Sequence, residues 1–239
     1  MPTITTDTMQ AVVATPNGPG WAELRPVGVP EPAPDEALIA VRAFAINRGE
    51  LPLLARREDW VPGQDIAGVV ERAAADGSGP PAGTRVAALA DWHGWAQYAA
   101  VPARRIAPLP DPVSFTAAAA LPMAGTTALD AIRRGGSLLG RRALITGASG
   151  GVGTFAVQLA ELSGARVTAV ARPAHAERLR ERGAADVVAA VDDAEGLYDL
   201  ILESAGGASM AGALAHVAAG GLIVSPGPWR RPSQNRPPR

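Results

Sequence analysis

The chain has 239 residues, enough for two modest domains or one large one. Apolar residues make up 47% of the chain, and the net charge is −1. The sequence contains neither lysine nor cysteine, so all 22 residues counted as Lys or Arg are arginine. This composition supports a buried core and gives no sign of a nucleic-acid or anionic-membrane partner. It excludes disulfides, thiolate metal sites and lysine-dependent catalysis. No apolar run approaches the roughly 18 residues that span a bilayer, and Met1–Thr8 lacks the features of a signal peptide, so we expect a cytoplasmic protein.

The first part of the chain is predicted to be an all-β unit, because short runs rich in Val, Ile and Ala alternate with clusters of Pro and Gly. The runs are Gln10–Thr15, Ala37–Ala45, Ile66–Ala73, Val86–Ala90 and Ala96–Val101. A short helical stretch, Gly49–Arg57, interrupts the strands, and Pro108–Pro112 indicates a domain boundary. The first domain is therefore predicted over residues 9–113.

Beyond that boundary, Ser114 is expected to cap a helix over Phe115–Leu121, and a second helix follows over Met123–Arg134. The pattern then alternates strands and helices as βα units require. Strands are predicted over Ala143–Thr146, Arg166–Ala171, Asp186–Val191, Leu200–Leu202 and Leu222–Ser225. A helix is predicted over Pro173–Arg182, and another over Met210–Ala218, where Gly220-Gly221 stops it.

These elements predict an α/β fold, a doubly wound parallel sheet of the Rossmann type over residues 114–227. Such a sheet normally has six strands, and the last has no candidate in this sequence. Residues 228–239, PWRRPSQNRPPR, show no periodicity and are expected to form a disordered tail.

The segment that joins the first of these strands to its helix has the sequence GASGGVG, at residues 147–153. A strand, a glycine-rich turn and a helix in that order form the context of a dinucleotide fingerprint. Bare backbone and the unpaired N–H groups of a helix N-terminus can hold a pyrophosphate there. The alternative is a glycine-rich connection in another kind of α/β protein. The predicted cofactor-binding residues of this turn are Ala148, Ser149, Gly150, Gly151, Val152 and Gly153.

The residue after the second Rossmann strand favours NADPH as the cofactor. An NAD-selective site carries an acidic residue about 20 positions after the glycine turn. Here Arg172 takes that place, no acid precedes Glu177, and His175 can assist in pairing with a 2′-phosphate. The alternative for Arg172 is a solvated arginine at a strand end. The fourth strand leads into Ser204, Ala205 and Gly206, at the sheet edge where open α/β sheets bind ligands.

Several short motifs occur in a characteristic order between residues 46 and 153. They are INRGEL at 46–51, PGQDIAGVV at 62–70, GWAQY at 94–98, AAALP at 118–122, TTA at 126–128 and the glycine turn. In this order the chain resembles the medium-chain dehydrogenase/reductase superfamily, in its zinc-free, quinone-oxidoreductase-like (zeta-crystallin-like) branch. The resemblance implies a GroES-like domain followed by a Rossmann domain. It also implies that relatives continue with a sixth strand and a segment returning to the GroES-like domain, so we expect this chain to be C-terminally truncated.

The resemblance further implies hydride transfer from the nicotinamide C4 of NADPH to a quinone or to an activated enone or enoyl substrate. It places Asn47 and Thr127 near the nicotinamide, where each can hydrogen-bond a carboxamide or a ribose hydroxyl. The alternatives are a turn residue and a helix residue that bonds its own backbone. No catalytic general acid can be named. A second candidate function is a nucleotide-binding protein with little or no turnover, since the truncation is expected to lower stability and activity.

Zinc-dependent relatives carry ligands near Asn47, at Gln64 and near Met123, where this sequence has neither cysteine nor histidine. We therefore expect no metal, and Gln64 and Asp65 either line the substrate pocket or are structural. A short-chain dehydrogenase is disfavoured, because its motif would lie near the N-terminus and its catalytic Tyr-x-x-x-Lys pair requires lysine. The resemblance implies that full-length relatives are homodimers, and it leaves the oligomeric state of this chain open.

Overall fold

The computed structural model describes residues 7–18 and 20–226. It divides after Met123 into two compact units. The predicted domain limits, 9–113 and 114–227, remain predictions, and the predicted tail over 228–239 lies outside the described residues. No helix in the described ranges is long and apolar enough to cross a membrane.

The described residues of the first unit form an antiparallel β structure with short helices. Its elements are β1 (Thr8–Thr15), β2 (Trp21–Gly28), β3 (Glu36–Phe44), α1 (Leu51–Leu54), β4 (Asp65–Arg72), β5 (Arg85–Leu89), β6 (Tyr98–Pro102), β7 (Ile106–Pro108) and α2 (Phe115–Ala119). Strands β6-β3-β4-β5-β7 make one sheet in that order, and β1 pairs with β2. The alternating apolar residues of the five-stranded sheet, Ile39, Ile66, Val86 and Val101 among them, form a fully buried core.

Helix α2 explains why the first unit extends beyond the proline-rich boundary. Ser114 caps it as predicted, since its Oγ accepts a hydrogen bond from the backbone N–H of Ala117 at 3.2 Å. Ala118 and Ala119 then pack on Ala67 of β4 and Ala87 of β5. The methyl groups of the helix thus belong to the core of the antiparallel sheet.

Two strands of the first unit were not predicted, β2 and β7. Strand β2 pairs along its whole length with β1, from Thr15 opposite Trp21 to Thr8 opposite Gly28. Its residues are mostly polar or exposed, and it includes Pro26. A strand held mainly by main-chain pairing needs no apolar run, so the hydrophobic pattern does not reveal it.

The second unit is a parallel sheet with helices between its strands. After helix α3 (Pro122–Arg134), which begins just before the division, its described elements are β8 (Arg142–Ile145), α4 (Gly151–Leu162), β9 (Arg166–Val170), α5 (Ala176–Glu181), β10 (Ala184–Val188), β11 (Tyr198–Leu202), α6 (Ala208–Leu214) and β12 (Val217–Val224). The strand order is β10-β9-β8-β11-β12, and all pairs are parallel. This arrangement confirms the predicted α/β fold with five strands of a Rossmann sheet.

The helix predicted over Met210–Ala218 was wrong at its C-terminal end. Helix α6 ends at Leu214, and the two glycines lie inside β12 instead of stopping a helix. Tyr198 pairs with Val217 and Leu200 with Leu222, so β12 bulges between these pairs. Gly220 has φ of +74°, and a Cβ at Gly221 would lie 2.8 Å from the Tyr198 carbonyl oxygen. The glycines therefore permit a bulge, which their sequence pattern alone does not distinguish from a helix stop.

Candidate functional site

The glycine turn between β8 and α4 has a backbone that admits no larger residue at two positions. Gly147 adopts a left-handed φ of +57°, and a Cβ there would lie 2.7 Å from Ser204 Oγ. A Cβ at Gly153 would lie 2.4 Å from the Gly147 carbonyl oxygen and 2.6 Å from Ala148 Cα. Helix α4 therefore begins in direct contact with the turn that precedes it, and Gly150 and Gly151 lie exposed at its start.

The structure separates the predicted residues of this turn by role. Ala148 is fully buried, its backbone N–H donates to the Val170 carbonyl at 3.2 Å, and its methyl joins the core of the second unit. Ser149 is half-buried, and Val152 packs partly on the same core. The exposed backbone of the turn is thus centred on Gly150 and Gly151, where a helix N-terminus can hold an anion.

A buried carboxylate organises the loop after β11. The side chain of Glu203 is 1% exposed, and its Oε1 accepts hydrogen bonds from Thr146 Oγ1 at 3.0 Å, from Ala205 N at 3.1 Å and from Gly206 N at 3.0 Å. Ser204 completes the network, since its N donates to Thr146 Oγ1 at 2.9 Å and its Oγ to the Thr146 carbonyl at 2.8 Å. The loop Ser204–Gly206 is therefore fastened to the carboxyl end of β8, beside the glycine turn.

Sequence reasoning identified this loop but not the residues that hold it. Glu203 and Thr146 each stand at the end of an apolar strand, and a polar residue there can face the core as readily as solvent. One feature of the sequence could have identified them. Both residues stand at the ends of strands, and a parallel sheet brings such ends side by side.

A cavity of about 400 Å³ lies at the carboxyl ends of these parallel strands, within the second unit. It brings together the glycine turn, the end of β9 and the loop after β11, and it is lined by Gly147, Ser149, Arg172, Asp192, Ala205 and Ser209, among others. Arg172 is exposed, and its carbonyl accepts a hydrogen bond from His175 N at 2.9 Å, which places His175 at the end of the same turn. The Ser209 Oγ is buried without a hydrogen-bond partner among the described residues. Neither Asp192 nor Ser209 was predicted.

Thr127 lines another cavity of the second unit, of about 1040 Å³, which runs along β12. Its neighbours there include Asp130 and Arg134 of α3 and Leu222 and Val224 of β12. The structure therefore places Thr127 in a cavity beside α3 and β12.

Asn47, in the first unit, belongs to a network built on two buried carboxyl groups. Its Nδ2 donates to Asp65 Oδ2 at 2.9 Å, and its backbone N–H donates to Glu50 Oε2 at 2.6 Å. The remaining oxygens accept from Gln64 N at 3.1 Å and from Met123 N at 2.7 Å. Both carboxyl side chains are about 1% exposed, and burial raises the pKa of Glu50 and of Asp65. Asp65 thus belongs to this network, and the two alternatives considered for it stay predictions.

Within the described ranges, no group of three His, Cys, Asp or Glu side chains could hold a metal ion. Gln64 is half-buried and uses its backbone, donating to Glu50 and accepting from Ala90 N. His93 is an exposed loop residue with a left-handed φ of +65°.

Comparison with known protein families agrees with this architecture. Residues 33–111 match the alcohol dehydrogenase GroES-like domain, and residues 151–237 match the zinc-binding dehydrogenase domain. The chloroplast envelope quinone oxidoreductase homolog of Arabidopsis thaliana is 32% identical, over 92% of this chain and 76% of that protein. The trans-enoyl reductase tazE of Aspergillus terreus is 34% identical, over 79% of this chain and 74% of that protein.

Among solved structures, the quinone oxidoreductase of Thermus thermophilus, studied alone and with NADPH, is 31% identical with a TM-score of 0.78. The match covers 91% of this chain and 73% of that one. The quinone oxidoreductase of Coxiella burnetii is 25% identical with a TM-score of 0.84, over 91% and 75% of the two chains. Some relatives are chloroplastic or mitochondrial, so a cytoplasmic location stays a prediction. With both domains matched in order, the chain belongs to the medium-chain dehydrogenase/reductase superfamily and groups with its quinone-oxidoreductase-like members.

Proposed function

We propose that this protein is an NADPH-dependent oxidoreductase that reduces a quinone or an activated enone or enoyl substrate without a metal ion. One observation carries the proposal: a single cavity is lined both by residues of the glycine turn and by Arg172. The quinone oxidoreductases and the enoyl reductase among its relatives support the reaction class.

The residues that line this cavity, together with the adjoining start of α4, fit a phosphorylated dinucleotide. The bare backbone at Gly150 and Gly151 and the N-terminus of the 12-residue helix α4 provide N–H groups and a positive dipole end for the pyrophosphate. Arg172 can pair with a 2′-phosphate through charge-assisted hydrogen bonds, with His175 beside it in the same turn. Ala205, in the loop that Glu203 holds, lines the same cavity.

The proposed division of work follows from these contacts. NADPH supplies a hydride, and with a proton from solvent this reduces the acceptor by two electrons. The chain's own residues bind and orient the dinucleotide, and Asn47 and Thr127 are proposed to hydrogen-bond its nicotinamide end. No side chain is assigned as a proton donor.

The test compares the dissociation constants of NADPH and NADH for the 239-residue protein and for Arg172→Ala. We expect tighter NADPH binding in the wild type, and a loss of about tenfold or more for NADPH alone in the variant, because a charged hydrogen bond contributes about 1.5–3 kcal/mol. Arg178→Ala, which removes an exposed arginine of α5, is the matched control and should bind normally.

Two results would contradict the proposal. Equal constants for the two dinucleotides at low salt would reject the choice of NADPH, and loss of binding after treatment with a chelator would reject metal independence. Turnover with a quinone, measured on the same samples, separates a reductase from a protein that binds NADPH without reducing anything.

A further inference from the structure

The side-chain amide of Asn47 is held in one orientation. Asp65 Oδ2 accepts from Asn47 Nδ2, and Asp65 Oδ1 accepts from the backbone N–H of Met123. An ionised carboxylate only accepts hydrogen bonds, so it selects the amino end of the amide and turns the carbonyl oxygen, Oδ1, away from itself. The Met123 N–H cannot exchange donor for acceptor, which anchors the carboxylate.

The backbone of Asn47 is fixed by a second carboxyl group. Glu50 accepts from Asn47 N at 2.6 Å and from Gln64 N at 3.1 Å, and Gln64 directly precedes Asp65. Backbone and side chain of Asn47 are therefore both tied to the start of β4. Burial raises the pKa of both carboxyl groups, so holding them here opposes their ionisation. A turn needs only a backbone hydrogen bond, so these two groups indicate a further role.

We propose that Asp65 is a positioning residue, which holds the Asn47 amide so that its Oδ1 accepts a hydrogen bond from the carboxamide amino group of the nicotinamide. The inference rests on the proposed contact between Asn47 and the cofactor. It selects the carboxamide over the ribose because a hydroxyl can donate or accept, whereas the carboxamide amino group can only donate. Only a partner of fixed polarity gains from an amide whose orientation is fixed.

The test uses NADP⁺ and its 3-acetylpyridine analogue, in which a methyl group replaces the carboxamide amino group. The wild-type protein should bind NADP⁺ about tenfold more tightly, the effect of one lost hydrogen bond that leaves an acceptor unpaired. In Asp65→Asn, the Met123 N–H still requires an oxygen, so the amino end of the new amide faces Asn47. Asn47 must then turn Oδ1 inward and Nδ2 outward, and the preference for NADP⁺ should vanish or invert.

A paired exchange provides the rescue. Combining Asn47→Asp with Asp65→Asn moves the negative charge from position 65 to position 47. The combination keeps a donor–acceptor pair between the two positions, an oxygen for Met123 N–H and an outward-facing acceptor. The exchange should restore the preference for NADP⁺. Asp35→Asn, which alters an exposed carboxyl group of the same unit, is the control and should leave both dissociation constants unchanged.

The inference is overturned if Asp65→Asn retains the tenfold preference, or if the paired exchange fails to restore it. Should Asp65→Asn alone not fold, the paired exchange decides by itself, since it preserves the hydrogen bonds that join positions 47, 65 and 123. A wild-type protein that binds neither dinucleotide rejects the proposed function together with this inference. A wild-type protein that binds NADP⁺ and its analogue equally rejects the inference alone.

Discussion

Two glycines of helix α4 stand two residues apart, and their surroundings differ sharply. A Cβ at Gly153 would meet the Gly147 carbonyl oxygen at 2.4 Å and Ala148 Cα at 2.6 Å, both of them backbone atoms that cannot move aside cheaply. At Gly151 the nearest contact of an added Cβ is the methyl of Ala124 at 3.6 Å, an ordinary distance. The glycine turn thus depends on the absence of a side chain at Gly153, and not at Gly151.

Gly153→Ala should lower the free energy of unfolding by about 1–3 kcal/mol, because the turn and the helix must separate to admit the methyl group. Gly151→Ala is the matched control and should be neutral or stabilising by up to about 1 kcal/mol, since alanine is the better helix former. Urea unfolding of both variants without cofactor measures the difference. Equal stabilities for the two variants would show that the turn yields easily.

At the scale of elements, β8 and β11 are joined beyond their ladder by side chains. Thr146 Oγ1 donates to Glu203 and accepts from Ser204 N, and the side chain of Thr146 is fully buried. Elsewhere in the same sheet, Thr168 Oγ1 of β9 accepts one hydrogen bond, from the Tyr198 hydroxyl at 3.2 Å. Both threonines are buried. They differ in the hydrogen bonds of their hydroxyl groups, since Thr146 Oγ1 bonds both Glu203 and Ser204 whereas Thr168 Oγ1 bonds Tyr198.

Thr146→Val should lower the free energy of unfolding by about 2–3 kcal/mol, because it leaves a buried carboxylate and a backbone N–H each short of a partner. It should also weaken NADPH binding, since the loop Ser204–Gly206 loses its attachment to β8. Thr168→Val, the control, removes one neutral hydrogen bond and should lower stability by about 1 kcal/mol, with NADPH binding unchanged. Calorimetric melting and NADPH titration of both variants provide the comparison, and an equal loss in both would contradict the network's role.

At the scale of the whole molecule, the buried carboxyl groups set an unusual dependence of stability on pH. Burial raises the pKa of Glu50 above its ordinary 4.5 and that of Asp65 above 3.8, so the folded state binds these protons more tightly than the unfolded chain does. Their contribution to stability therefore falls as the pH rises through the range above those values. Asp199 acts in the opposite sense, because hydrogen bonds from Arg142 N and the Arg141 side chain lower its pKa, and its contribution is lost as the pH falls below 3.8.

At pH values above 4.5, Glu50→Gln should flatten the decline in stability with rising pH by up to about 1.4 kcal/mol per pH unit, the limit for one linked proton. The substitution also leaves one backbone N–H facing an amino group, so the slope is the readout, and not the absolute stability. Urea unfolding at a series of pH values measures it. Parallel curves for wild type and variant would show that Glu50 does not bind its proton more tightly in the folded protein.

The outer edge of β12 is the other molecular-scale feature. Within residues 7–18 and 20–226, no strand pairs with that edge, and Leu222 is 41% exposed beside the large cavity along it. An unpaired apolar edge is a template for pairing with another chain.

The protein should accordingly self-associate as its concentration rises, and Leu222→Lys should shift it towards the monomer, because a charge at the edge must be desolvated on pairing. Leu162→Lys, which alters a leucine of α4 that is 79% exposed, is the control and should leave self-association unchanged. Sedimentation velocity over a range of concentrations distinguishes them. An identical shift in both variants would indicate general solubility instead of edge pairing.

The elements that the chain's pattern predicts well are those whose signal is local. Local sequence patterns predicted three kinds of feature correctly. These are the apolar runs of β3, β4 and β8, the cap at Ser114 and the glycine turn before α4. In each, burial of a short apolar run or the backbone freedom of glycine acts within a few residues, so neighbours in sequence carry the whole signal.

Other features were decided only by the tertiary structure, because they involve residues whose partners are distant along the chain. The bulge at Gly220-Gly221 depends on pairing with β11, and the burial of Glu203 depends on Thr146, which a parallel sheet brings beside it from 57 residues away. The orientation of Asn47 likewise depends on Asp65, 18 residues further on. A polar side chain near a strand end or in a turn can face solvent or the interior with the same local pattern. Which occurs is decided by the hydrogen-bond partners that folding supplies, because a buried polar group without them is destabilising.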